Sequence, residues 1–135
     1  MTEQTTRKTE QTCPCGSGKP YSLCCQPLHQ GVEFAQTAEQ LMRSRYSAFV
    51  LQLQGYLLQT WAPETRPQDV AFDPAMSWQK LTILEKKKGR VRDQKGWVTF
   101  CAEYQAGLQR FKFVEKSRFR KDAQGRWLYV DGEFI

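Results

Sequence analysis

The chain of 135 residues has the length of one ordinary domain. Its apolar share of 40%, with 8 Phe, 5 Tyr and 4 Trp, excludes a disordered or collagen-like polymer. The net charge of +6 is uneven: residues 1–79 carry 6 Lys/Arg against 7 Asp/Glu, and residues 80–135 carry 14 against 7. That asymmetry suits an anionic partner such as RNA, or a solvated sheet face. Unbroken aliphatic and aromatic runs such as Phe49-Val50-Leu51 stay short. No membrane span or secretory segment is therefore expected, and the expected location is the cytoplasm.

In chain order, residues 1–12 are rich in Thr, Glu and Gln without apolar periodicity, and read as a disordered leader. Residues 13–30 form a compact segment with four of the five cysteines, Cys13, Cys15, Cys24 and Cys25, punctuated by Pro14, Gly16, Gly18 and Pro20. From residue 31 onward a larger domain is expected. Thr37 is a candidate helix N-cap, with Gln40 completing a capping box. Ala38, Leu41, Met42, Tyr46, Phe49, Val50 and Leu53 recur at helical spacing. Gly55 is expected to end or bend that helix, and a shorter one over Tyr56–Thr60 stops before Pro63. Residues 62–77 read as a loop. Four strands follow, at 78–87, 96–105, 109–121 and 126–131, separated by turns at Gly89, Gly107 and Gly125. Helices followed by consecutive strands give an α+β fold: helices packed on one face of an antiparallel sheet.

In a reducing compartment a tight thiol cluster points to a metal before a disulfide framework. Four thiolates suit tetrahedral zinc, and glycines at 16 and 18 let the backbone fold close to the sulfurs. The competing readings are a Cys24–Cys25 disulfide or idle thiols. His29 is a rival fourth ligand, ranked below Cys25. Four protein ligands leave no position for water, so the zinc would be structural, not catalytic. Cys101 stands apart, with no base nearby, and is read as a packing residue.

The run Cys13-Pro-Cys15-Gly-Ser-Gly-Lys-Pro-Tyr21-Ser-Leu-Cys24-Cys25 resembles the SEC-C motif, the zinc-binding tail of the preprotein translocase ATPase, with Cys25 at a position commonly held by His. The resemblance continues through Glu39-Gln-Leu41-Met42-Arg43-Ser44-Arg45-Tyr46, Tyr56-Leu57-x-x-Thr60-Trp61, Gly96-Trp-Val98-x-Phe100, Glu115-x-Ser117-Arg118-Phe119 and Gly125-x-Trp127-x-Tyr129-x-Asp131-Gly132. Together these resemble the YchJ family of small bacterial proteins. The resemblance implies a zinc knuckle followed by a curved-sheet cone like that of nuclear transport factor 2. It also implies a protein partner for the knuckle, such as an export chaperone or the ribosome.

Within the cone, Arg45 falls in the helix's apolar stripe, and a buried guanidinium needs an acceptor. In the third strand, Phe111, Phe113, Glu115, Ser117 and Phe119 alternate onto one face. Glu115 is therefore the expected partner of Arg45, with Asp131 in reserve. Tyr46, Trp61, Trp127 and Tyr129 would wall the site. This constellation reads either as an internal ion pair or as a ligand pocket. The opposite face of the strand is a basic ladder, Arg110, Lys112, Lys116, Arg118 and Arg120. It lacks the stacking aromatics that nucleic acid needs, so only weak RNA binding is expected. The leading function is a non-catalytic zinc-binding module. The alternative is a small-molecule enzyme using Glu115, Asp131 and Tyr46 as acid–base groups, without the usual histidine inside the cone.

Overall fold

In the computed structural model, which describes residues 11–135, the knuckle comes first. It is a 3₁₀ turn, Tyr21–Leu23, and a short helix α1, Gln26–His29. The body consists of α2 (Ala38–Leu51), α3 (Gln54–Gln59) and strands β1 (Met76–Lys88), β2 (Lys95–Ala106), β3 (Gln109–Lys121) and β4 (Trp127–Phe134). The strands form one antiparallel sheet in the order β1-β2-β3-β4, so every connection is a hairpin. Most of the expected leader lies outside the described residues; its last residue, Thr12, bridges Pro20.

Helix α2 begins as the sequence indicates: Thr37 Oγ1 accepts from the Gln40 amide at 3.1 Å. Gln40 reaches back to the Gln36 amide, one residue before the cap. The helix ends earlier than expected, at Gln52, whose left-handed backbone (φ 59°) terminates it. Gly55 lies inside α3 instead of breaking α2. At the other end of α2, Ala38 donates to the Gly89 carbonyl at 2.9 Å. A Cβ at Gly89 would stand 2.7 Å from that of Ala38, so glycine is what lets helix and hairpin meet.

The core lies between α2 and the concave sheet face: Leu41, Met42, Tyr46, Leu81, Val98, Phe100, Phe119 and Trp127 are all buried. Two irregularities between β1 and β2 and one between β3 and β4 break the regular pairing and mark where the sheet curves. The segment after α3 joins the sheet edge: Tyr129 donates to the Thr60 carbonyl and Ala62 to the Tyr129 carbonyl, each at 2.8 Å. Helix α2 is buried on both sides. Ser44 and Ser47, away from the apolar stripe, are fully covered because the knuckle lies there.

Candidate metal centre and cone cavity

Tight turns bring the four knuckle cysteines together. Cys13 donates its amide to the Lys19 carbonyl, Tyr21 donates to Gln11, and Gly16 and Gly18 take positive φ to fold the chain between the two Cys pairs. The sulfurs of Cys13, Cys15, Cys24 and Cys25 all lie within 4.8 Å of one another. Cys15 and Cys24 are 3.6 Å apart, and Cys24 and Cys25 3.9 Å. A metal with bonds of about 2.3 Å to tetrahedral thiolates requires sulfur separations of about 3.8 Å. The cluster has the dimensions to hold a metal ion. All five cysteines are free thiols, so the alternative of a Cys24–Cys25 disulfide is not realised.

Helix α2 completes the surroundings of the cluster. Ser47 Oγ lies 3.4 Å from the sulfurs of both Cys13 and Cys25, and Ser17 Oγ 3.1 Å from that of Cys24. Arg43 donates to the Cys15 carbonyl at 2.8 Å and pairs with Glu39 at 3.0 Å. Thiol hydrogen bonds from Cys15 and Cys25 hold Cys13 far below the ordinary thiol range. Cys25 is pushed far up, because its proton is held against Cys13 and Cys15 and it is buried. Burial also raises Cys24. The thiols thus share their protons through mutual hydrogen bonds, and burial opposes ionising all four unless a cation compensates the charge.

His29 is occupied elsewhere. Its Nε2 donates to the Ser44 carbonyl at 2.8 Å, which leaves Nδ1 to accept from Tyr21 Oη at 2.7 Å. Tyr56 packs edge-on against the imidazole. Burial holds its pKa below the usual value. Neither ring nitrogen is free for a metal; His29 pins the knuckle to α2. Ser47, Arg43 and this role of His29 were not anticipated. The available signal was a row of small or polar residues, Arg43, Ser44 and Ser47, one helical turn apart on the side of α2 away from the stripe.

In the cone, Met42, Arg45, Tyr46, Trp61, Glu115 and Tyr129 line a cavity of about 210 Å³, together with Trp78 and Phe113. Arg45 is only 3% exposed, but it does not pair with Glu115. Its Nη1 donates to the Leu57 carbonyl (2.8 Å) and to Thr60 Oγ1 (2.7 Å), and its guanidinium lies 4.8 Å from the Trp61 ring centre and 4.6 Å from that of Tyr129. A carbonyl, a hydroxyl and two π faces thus replace the expected carboxylate. Burial lowers its pKa to about 10, so it stays charged at neutral pH. Glu115 accepts instead from Ser117 Oγ at 2.8 Å and from Tyr129 Oη at 3.4 Å. A Cβ at Gly132 would collide with this carboxylate, so the glycine gives Glu115 its space. Trp61 Nε1 is buried without a hydrogen-bond partner.

Two residues expected in the site, the wall residue Trp127 and the reserve partner Asp131, lie elsewhere. The irregularity opposite Arg118 and Phe119 inserts Val130 as an extra residue in β4, which reverses the faces beyond it. Trp127 and Tyr129 face inward, but Asp131 emerges on the convex side, half exposed and paired with Arg118 at 2.8 Å. Trp127 is a core residue whose Nε1 donates to the Gln36 carbonyl at 3.1 Å. The basic ladder is largely matched: Arg110 pairs with Glu103, Arg118 with Asp131 and Arg120 with Glu64. The densest positive cluster is instead the β1–β2 hairpin, with Lys86, Lys87, Lys88, Arg90 and Arg92.

Family models match the two parts separately. Residues 11–27 match the SEC-C motif, and residues 37–132 match the middle NTF2-like domain of YchJ. The chain belongs to the YchJ family. Its relatives include a UPF0225 protein of Streptomyces avermitilis, 47% identical over 97% of this chain and 90% of that protein. Another, from Streptomyces coelicolor, is 46% identical over 91% and 95%. The solution structure of a SEC-C motif containing protein from Rhodopseudomonas palustris superposes with a TM-score of 0.80 at 34% identity, covering 93% of this chain and 99% of that one. A SEC-C motif containing protein from Psychrobacter arcticus gives 0.74 at 28%, covering 90% and 81%. The family match spans both the thiol cluster and the helix that supports it. No helix among the described residues is long and apolar enough to cross a membrane.

Proposed function

We propose that this protein is a cytoplasmic, non-catalytic zinc module: Cys13, Cys15, Cys24 and Cys25 hold one structural Zn²⁺, and the knuckle so fixed recognises a protein or ribosomal partner. The observation that carries the metal assignment is the sulfur cluster, with edges of 3.6 and 3.9 Å in a shell made wholly of thiols. Soft thiolates at tetrahedral spacing select zinc among the common cellular cations. Four protein ligands leave no site for a reactive water, so the ion fixes shape. Recognition is supported by the apolar surface at the knuckle, where Leu23, and Val32 just beyond it, are over 70% exposed.

The acid–base alternative loses most of its groups. Asp131 is on the other side of the sheet, and burial raises the Tyr46 hydroxyl to about 12, leaving Glu115 as the carboxylate in the cavity. RNA contact, through the basic hairpin and ladder, is expected to be weak and to fall steeply with salt. The partner reading is tested by co-sedimentation with purified ribosomes and gel filtration with the purified export chaperone, comparing wild type with Cys24→Ser. Binding by wild type that Cys24→Ser abolishes supports recognition through the knuckle. Equal behaviour of the two proteins in both assays refutes it.

A further inference from the structure

The cone cavity holds two opposite charges that do not meet. Among the described residues Arg45 has no carboxylate within 4.0 Å, and Glu115 takes its hydrogen bonds from two hydroxyls. Arg45 Nη1 makes all the hydrogen bonds of its guanidinium, and Glu115 Oε2 all those of its carboxylate. Arg45 Nε and Nη2 and Glu115 Oε1 have no hydrogen-bond partner among the described residues and are not fully sealed, and both residues line the cavity. Two fixed charges with free hydrogen-bonding capacity inside an aromatic chamber are costly unless something spans them.

The rest of the wall is apolar. Trp78 stands edge-on to Tyr46 at 5.8 Å and to Phe113 at 6.2 Å, and Phe100 meets Phe113 at 6.3 Å. A purely anionic ligand would gain Arg45 but face Glu115; a purely cationic one would gain Glu115 but face Arg45. A molecule carrying both charges and an apolar body satisfies the whole surface. With one water needing about 15 Å³ on this scale, the cavity has room for about a dozen heavy atoms.

We propose that the cone is a binding site for a small zwitterion with an apolar body, of the amino-acid class: its carboxylate on Arg45 Nε and Nη2, its ammonium on Glu115 Oε1, and its side chain against Trp78 and Phe113. This assignment is independent of the metal. Gly132 belongs to the site as the residue that leaves Glu115 its space, and Ser117 and Tyr129 orient the carboxylate.

The test is titration calorimetry of the intact protein with the apolar L-amino acids, L-phenylalanine first, alongside phenylacetate and phenethylamine as the two half-ligands. The expected result is saturable binding of at least one amino acid, with each matching half-ligand roughly tenfold weaker or worse. Glu115→Gln should weaken the amino acid by a similar factor while leaving phenylacetate no weaker, and tighter to the extent that Glu115 repels it. Ala102→Leu, which pushes a side chain into the cavity from β2, should abolish binding of all three. Arg45→Gln should mirror Glu115→Gln; if that variant does not fold, the other two decide. The proposal is overturned if no apolar amino acid binds at millimolar concentration, if half-ligands bind as tightly as the zwitterion, or if Ala102→Leu leaves binding unchanged. A cavity occupied by water alone would give the first of these results.

Discussion

The knuckle and the cone solve opposite problems on the two sides of one helix. Toward the knuckle, α2 presents Ser44, Ser47 and Arg43, and what it covers is a set of thiols with almost no apolar interior. Toward the sheet it presents Leu41, Met42 and Tyr46 over a continuous hydrophobic core. Burial stabilises the cone through area removed from water, whereas it only raises the cost of the thiols' charge until a cation is present. The contrast separates the two sources of stability: the cone has its own side chains, and the knuckle would depend on the proposed ion. Arg45 is the exception in the cone, a charge kept inside by a carbonyl, a hydroxyl and two ring faces.

Metal removal should separate the two halves most sharply. Structural zinc contributes about 10–16 kcal/mol in small finger units, far more than this knuckle could recover from packing. Chelation, or Cys15→Ser, should therefore melt residues 13–29 while the sheet persists. Hydrogen exchange should show loss of protection in the knuckle and retention in β2 and β3. Simultaneous loss in both would show that the cone depends on the metal.

Inside the cone, Arg45→Met removes the donor to the buried Leu57 carbonyl and should cost about 1–3 kcal/mol in chemical unfolding. Because Arg45 and Glu115 make no ion pair but share Tyr129 and one cavity, adding Glu115→Gln should show a modest coupling of about 0.5–1 kcal/mol, well short of a direct buried pair. A coupling of about 3 kcal/mol or more in the double-mutant cycle would restore the ion pair expected from sequence.

His29 ties the halves together, so His29→Ala should cost about 1–2 kcal/mol through the lost hydrogen bond to Ser44. Burial depresses the His29 pKa, so the folded state binds its proton less readily than the unfolded chain. Its contribution is complete above the ordinary value of 6.5 and is lost as pH falls through that value toward the lower folded pKa. Urea midpoints measured from pH 8 to pH 5 should decline in wild type, and less steeply in His29→Ala. The smallest effect is at the start of α2, where Thr37→Ala removes the cap and should cost about 1 kcal/mol by thermal unfolding.

These contrasts track what was legible in the sequence. The thiol cluster is local: four cysteines within thirteen positions, with glycines where the backbone must turn, so spacing alone indicated it. The N-cap, the strands and the alternation of Phe113, Glu115, Ser117 and Phe119 are also short-range and emerged as expected. The cone site depends on register. A single extra residue in β4, Val130, moved Asp131 to the convex face, and simple alternation cannot anticipate a bulge. The partners of Arg45 were equally hidden. A backbone carbonyl at Leu57 has no sequence signature, and Trp61 reaches the guanidinium only because its segment pairs with β4.

The central claim is that four cysteines, and not His29, hold one zinc. Native mass spectrometry with elemental analysis of wild type, Cys25→Ser and His29→Gln tests it most directly. The account predicts one zinc per chain in wild type and in His29→Gln, and none in Cys25→Ser. Zinc retained by Cys25→Ser but lost from His29→Gln would contradict it, and so would a wild-type protein that binds no zinc when refolded with the metal in excess.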